Sequence, residues 1–213
     1  MEDIPMYHDG SRRLQDRFAT RKLADRLVEV LARTAFTDED RAFIESRPLF
    51  FLATADAQGR PDCSYKGGLP GFVRVLDPQT LAFPSYDGNG MFKSLGNLFV
   101  NPHVGMLFID FESPRRLRVN GQATVHEKDS LLSEFVGAQV IVRVRSEAIF
   151  PNCPRYVHKM QMIEQSPYTP CEGRSPPVPK WKQRPEFREV LPPGDPAAEE
   201  PLARSPPPAG RCS

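Results

Sequence analysis

Two periodicities divide the chain. Between about residues 12 and 33, Phe18, Leu23, Leu27, Val30 and Leu31 recur mostly at three- and four-residue steps with charges between them, which predicts one amphipathic helix. Thr37 followed by Asp38, Glu39 and Asp40 predicts the start of a second helix, because oxygen side chains and negative charge satisfy the free amides of a helix N-terminus. That helix carries Phe43 and Ile44 and stops ahead of Pro48, whose ring disfavours helical backbone before it.

The texture then becomes that of strands. The apolar run Leu49 to Ala55, the turn residues Asp56-Ala57-Gln58-Gly59 and the segment Arg60 to Lys66 predict a hairpin. Gly71 to Asp77 and Thr80 to Phe83, flanking Asp77-Pro78-Gln79, predict a second. Val104 to Phe111 reads as a buried strand. Leu117, Val119, Gly121, Ala123 and Val125 alternate with Arg118, Asn120, Gln122 and Thr124, the period of a half-buried strand. A short helical segment at Asp129 to Phe135 precedes a last strand over Ala138 to Val144, and Met91 to Leu98 reads as a short helix between strands. Many short strands with few helices predict a mainly β fold with flanking helices, an antiparallel barrel rather than a doubly wound parallel sheet.

Composition sharpens the boundaries. Thirteen of the 23 prolines lie at or after Pro167, so the core is built from the earlier part of the chain. The expected organisation is an N-terminal helical segment over 1–47, a strand-rich domain over 48–165 and a Pro-rich extension over 166–213. The extension reads as linker-like from Ser166 and as disordered over Pro192 to Ser213. A net charge of +1 from 28 basic and 27 acidic residues gives no basic excess for nucleic acid. No apolar run reaches the roughly 18 residues of a membrane span, and the start lacks the pattern of a secretory signal. The cysteines Cys63, Cys153, Cys171 and Cys212 are scattered, with no metal-ligand spacing. Free thiols and a cytoplasmic location are expected, with no metal.

Three segments offer anion chemistry. In the first, Lys66 ends a strand before Gly67 and Gly68. A lysine suits a phosphate and glycines let amides approach closely, although an exposed strand-end lysine reads the same way. The second, Tyr86-Asp87-Gly88-Asn89-Gly90-Met91-Phe92-Lys93-Ser94, joins a glycine-rich loop to a helix start, where free amides favour an anion; a plain surface turn is the alternative. The third, Arg115-Arg116-Leu117-Arg118, is either a solvated face or a set of guanidiniums beside a charged ring. Cys153 with His158 is a candidate nucleophile and base only if the two meet in space, so no catalytic residue is assigned. Trp181 is either a docked anchor or a cover for a ligand.

The order of these segments resembles the FMN-binding split barrels of the pyridoxamine 5'-phosphate oxidase-like family. The resemblance runs from Phe50-Phe51-Leu52-Ala53-Thr54-Ala55-Asp56 through Lys66-Gly67-Gly68-Leu69-Pro70-Gly71-Phe72-Val73 and Asn101-Pro102-His103-Val104-Gly105-Met106-Leu107-Phe108 to Arg118-Val119-Asn120-Gly121. Phe150-Pro151-Asn152-Cys153-Pro154-Arg155-Tyr156-Val157-His158-Lys159 looks like the signature of one subgroup. The resemblance implies an antiparallel split β-barrel, a homodimer, and FMN at the interface. Lys66, Lys93 and Ser94 match positions that hold the ribityl phosphate. Tyr86 and Asn89 fall where the cofactor-facing strand ends, and Arg116 and Arg118 fall near the isoalloxazine edge, where the oxidase proper presents an amide. The implied activity is that of an FMN-dependent oxidoreductase with a small-molecule substrate and NAD(P)H as a candidate donor. The rival is a non-catalytic carrier of flavin, deazaflavin or haem. A segment placing arginine and histidine over the substrate in the oxidase proper has no counterpart here, since no histidine follows His158.

Overall fold

The computed structural model describes residues 6–199. The chain divides into two compact units, residues 1–161 and 162–213.

The first unit holds seven strands: β1 (Leu49–Ala55), β2 (Pro61–Gly67), β3 (Arg74–Asp77), β4 (Thr80–Tyr86), β5 (His103–Asp110), β6 (Arg115–His126) and β7 (Ala138–Asn152). They form one antiparallel sheet in the order β2-β1-β5-β6-β7-β4-β3. The β1–β2 turn follows from its residues. The Asp56 carboxylate accepts the amides of Gln58 and Arg60, each at 2.9 Å, and Gly59 takes the left-handed φ of 77°. Three strands separate β1 from β4, so in a flat sheet they would lie about 19 Å apart, four strand spacings. Yet the ring of Phe50 on β1 lies 5.0 Å from that of Phe83 on β4, and 5.2 Å from Phe108 on β5. The sheet therefore curls around one aromatic and aliphatic core, and because β2 and β3 remain unpaired with each other the barrel is split. This is the mainly β, antiparallel split barrel expected from the sequence.

One strand runs further than its pattern predicts. β7 continues past Val144 to Asn152 because a bulge absorbs the polar run there: Gly121 pairs with Ser146 and Asn120 with Ala148, leaving Glu147 as the extra residue. The Ser146 hydroxyl donates to the carbonyl of Thr34 at 2.6 Å. A Cβ on Gly121 would lie 2.0 Å from the Arg145 carbonyl oxygen, so this close approach requires glycine.

The single N-terminal helix expected over 12–33 is instead two, α1 (Asp9–Arg17) and α2 (Arg21–Leu31). Ala19 turns left-handed at φ 53°, the Thr20 amide closes the first helix on the Gln15 carbonyl, and Arg21 grips Asp16 across the corner at 2.5 and 2.6 Å. Of the expected apolar face, Phe18, Leu23, Leu27 and Val30 are exposed and Leu31 is half-buried. Helix α3 (Asp38–Glu45) begins as its sequence predicts, with Thr37 and Asp40 in reciprocal capping bonds of 3.1 and 3.0 Å, and buries Phe43 and Ile44. Helix α4 (Lys93–Val100) buries Leu95 and Leu98 in the main core. A 3-10 turn over Ser130–Glu134 covers the outer face of β4 and β7, packing Leu131 and Phe135 with Ala82 and Ile141.

In the second unit, Trp181 packs edge-on against Phe187 with ring centres 5.6 Å apart, and both rings remain exposed. The Lys182 ammonium meets the Asp195 carboxylate at 2.7 Å, both buried, and Asp195 also accepts the Ala197 amide at 2.9 Å. Pro192 to Glu199 thus contains buried groups and a helical turn, Pro196–Glu199, where composition predicts disorder. The rest of the expected disordered tail, residues 200–213 with Cys212, lies outside the described residues.

Candidate functional site

The inner face of β2 carries Asp62, Ser64 and Lys66, opposite Thr54, Leu52 and Phe50 of β1. Helix α4 crosses this face and is tied to it twice. The Ser94 hydroxyl lies 3.0 Å from that of Ser64, and the buried Asn97 amide donates to the Thr54 hydroxyl at 2.9 Å. Ser94 therefore sits at the level of Ser64, and Asn97 at the level of Thr54 and Asp62. Going from its N-terminus to its C-terminus, α4 runs away from Lys66, so its N-terminus points towards Lys66, about 7 Å further along the strand.

That N-terminus is uncapped. Phe92 precedes α4 in the left-handed region at φ 48°, and no side chain caps the first turn. The free amides of a first turn carry partial positive charge. Lys66 is half-buried and makes no hydrogen bond or ion pair with any described residue. Burial pushes its pKa below the usual lysine value, against a weaker opposing pull from Asp62. A half-buried ammonium, free amides and two mutually bonded hydroxyls lie on one side of the sheet, donors of the kind a phosphate accepts from.

The other nominated residues sit differently. Lys93, the first residue of α4, is exposed. Asn89 is exposed and accepts the Met91 amide at 3.0 Å, which shapes the loop into α4. Tyr86 ends β4 just after a register shift, opposite Ala138, and burial holds its phenol above the usual tyrosine value. Arg116 and Arg118 lie on the opposite, outer face of the sheet. Their partners across β5 are Ile109 and Leu107, whereas the inward residues of β6 are Leu117, Val119 and Ala123. Within one chain, then, Lys66 and Ser94 belong to one face and the arginine pair to the other.

Both arginines hold the end of β7: Arg116 donates to the Cys153 carbonyl and Arg118 to the Asn152 side chain. Burial, and next the charge of Arg116, lower the pKa of Arg118. Cys153 and His158 are both exposed. Ser64 and the Thr54–Asn97 pair were not legible as site residues, although the alternation of Asp62, Ser64 and Lys66 on one strand face was the available signal for Ser64. Among the described residues no group of histidine, cysteine and acidic side chains is arranged to hold a metal, and no helix is long and apolar enough to cross a membrane.

Residues 36–167 match the sequence profile of the pyridoxamine 5'-phosphate oxidase family. No curated protein matches the chain. Solved structures similar to it include HupZ of Group A Streptococcus, with 19% identity over 59% of this chain and 99% of that one at a TM-score of 0.45. The haem storage protein HutZ of Vibrio cholerae is 24% identical over 53% of this chain and 92% of its own, at a TM-score of 0.40. An FMN-binding protein of Syntrophomonas wolfei is 12% identical over 66% and 97%, at 0.42.

Proposed function

The chain belongs to the pyridoxamine 5'-phosphate oxidase family, and from that premise we propose that it is an FMN-binding oxidoreductase acting on a small molecule as a cytoplasmic homodimer. The observation that carries the reading is Lys66: a half-buried ammonium without a partner among the described residues, towards which the uncapped end of α4 points. Lys66, the first-turn amides of α4 and one of the two mutually bonded hydroxyls, Ser64 or Ser94, would hold a ribityl phosphate there. Bound FMN supplies hydride and single-electron transfer; the protein contributes orientation, electrostatics and exclusion of water. Tyr86 and the loop shaped by Asn89 border the cradle in sequence, and Lys93 adds a nearby positive charge.

The two faces support the proposed dimer. A flavin anchored by the inner-face cradle reaches an arginine pair only if a second copy supplies it, and a two-fold pair is the commonest assembly. The cytoplasmic location is supported by Cys63 and Cys153, both exposed and outside any disulfide among the described residues. NAD(P)H is the expected electron donor.

The experiment is identification of the chromophore released by heating the purified protein, paired with light scattering. We expect FMN, not FAD, from a particle of twice the chain mass. Release of haem or a deazaflavin, or a colourless protein that takes up no added FMN, refutes the cofactor. A monomer fully loaded with FMN refutes the dimer. Bleaching by NAD(P)H under nitrogen separates an oxidoreductase from a passive carrier.

A further inference from the structure

We propose that Asn97 and Thr54 are positioning residues that make the cradle around Lys66 selective for a phosphorylated ligand, by fixing where along β1 and β2 the free N-terminus of α4 stands. The helix meets the β1–β2 hairpin through three polar residues: Ser94 and Asn97 within it, and Asn101 at its C-terminal cap. Their spacing of three and then four places them on one side of a helix. The partners follow the hairpin in the same order. Ser94 meets the Ser64 hydroxyl at 3.0 Å, Asn97 the Thr54 hydroxyl at 2.9 Å and Asn101 the Asp56 carbonyl at 3.3 Å. Ser64 pairs with Leu52 across the hairpin, so the three contacts fall at the levels of residues 52, 54 and 56. From Ser94 to Asn101 a helix rises about 10.5 Å, and four strand residues span about 13 Å. Helix and strand therefore run side by side, nearly in step.

Apolar packing alone does not set that step. Leu95 and Leu98 enter the main core, and such contacts are non-directional. A slip of three residues, about 4.5 Å along the axis, would seat Leu98 where Leu95 lies and keep the contact apolar. It would also turn Val100 towards Thr54. Thr54 is only 4% exposed and Asn97 9%, so neither group finds bulk water if the other leaves, and an unmatched buried polar group is the costlier fault. What the register controls is the far end of the helix. The Gly96 amide makes the first bond of the helical ladder, to the Phe92 carbonyl at 2.7 Å, so the amides of Lys93, Ser94 and Leu95 stand ahead of it, facing the Lys66 end of the hairpin. A hydrogen bond to an anion fades within a few tenths of an ångström beyond about 3.2 Å. A shifted helix therefore loses the phosphate, while the apolar part of a ligand is held by contacts elsewhere.

The inference rests on the flavin reading, and FMN against riboflavin, which lacks the phosphate, is the probe. Both are titrated by fluorescence into the full-length protein freed of chromophore, and into Thr54→Val, Thr54→Ser and Thr54→Val/Asn97→Leu. In Thr54→Val, FMN should weaken at least about tenfold and riboflavin by less than about threefold, so that the preference for phosphate shrinks. Thr54→Ser keeps the hydroxyl and should keep the preference. The double variant replaces both polar partners with apolar groups, a change that can be nearly neutral for stability, and should lose the preference as Thr54→Val does. A merely structural pair would weaken both flavins alike, and that result overturns the proposal. So does a preference that survives in Thr54→Val or in the double variant, or one lost equally in Thr54→Ser. If Thr54→Val does not fold, the double variant decides; if neither folds, the pair is a stability element and the proposal falls. An unaltered protein that binds FMN no better than riboflavin sinks the phosphate cradle itself, a failure distinct from an FMN-selective protein indifferent to Thr54→Val.

Discussion

The two faces of this sheet solve opposite problems. Inside, Phe50, Leu52, Phe83, Met106, Phe108 and Val119 are all but sealed from solvent, and a few polar groups sit at one corner under α4, with Asn97 and Thr54 satisfying each other. Outside, the face is only partly clothed. The 3-10 turn covers β4 and β7, clamped by Asp129 on Arg143 at 2.7 and 3.0 Å, while Phe51 of β1, Leu107 of β5 and Arg116 and Arg118 of β6 are half-exposed. The inner face tolerates polarity only where it is partnered or awaits a ligand. On the outer face charge is ordinary, so only an arginine without an acid is informative. Function is therefore read from exceptions: a lysine on the apolar side and, on the polar side, two arginines with one residue between them that meet no carboxylate among the described residues.

The contrast is most easily broken at the bulge that keeps the long strands aligned. Gly121→Ala puts a methyl group into the Arg145 carbonyl, 2.0 Å from its oxygen. The strands must separate or the bulge must move, which would exchange inward and outward residues beyond it. We expect a loss of about 3 kcal/mol in urea unfolding, the upper end of overpacking effects. A loss below about 1 kcal/mol, the ordinary range of mutations, would mean that the bulge is free to rearrange and does not fix the faces.

The next contrast compares binding. Lys66→Ala removes the inner-face ammonium and should weaken FMN roughly ten- to hundred-fold, the equivalent of about 1.5–3 kcal/mol for a charged hydrogen bond. Arg118→Gln removes only a ring-edge contact in the proposed dimer and should weaken FMN less than Lys66→Ala does, by under about tenfold. Fluorescence titration of both variants decides. Equal losses would mean that the ring edge holds FMN as firmly as the phosphate does, and no loss in Lys66→Ala would put the anchor elsewhere.

Much of this was legible in the sequence because alternation is a physical record of burial. Leu117 to Val125 announced which residues of β6 face inward, and that same pattern put Arg116 and Arg118 outside. The capping box at Thr37 and the Asp56 turn were readable because each is closed by residues within a few positions. The N-terminal helices were not, since a three-to-four periodicity does not reveal that Ala19 turns left-handed or that Leu23, Leu27 and Val30 stay exposed. β7 past Val144 was hidden because its bulge depends on Gly121 and Thr34, distant in the chain. Ser64 was missed because its partner, Ser94, is 30 residues away, and no local pattern encodes a contact between a strand and a later helix.

The smallest expected effect concerns the cover of the outer face and is read by pH. Asp129 accepts two bonds from Arg143 and one from the Leu131 amide at 2.9 Å. The Arg143 hydrogen bonds foremost, against some cost of burial, lower its carboxyl from 3.8 to about 2. The folded pKa is depressed, so the unfolded chain takes up the proton first on acidification. The contribution is therefore complete above about pH 4 and lost as pH falls through about 2. It amounts to about 1–2 kcal/mol once partial solvent screening of Arg143 is allowed for. Asp129→Asn should lower stability at pH 6 by that order and converge with the unaltered protein near pH 2. Asp40, Asp77 and Asp110 are also held below the usual carboxylate range, so the informative quantity is the difference between the two proteins at each pH, not either curve alone. A difference that stays constant from pH 6 to pH 2 would show that the aspartate acts through shape and not through charge. The 3-10 turn would then be held on the outer face by Leu131 and Phe135, in the manner of the inner face.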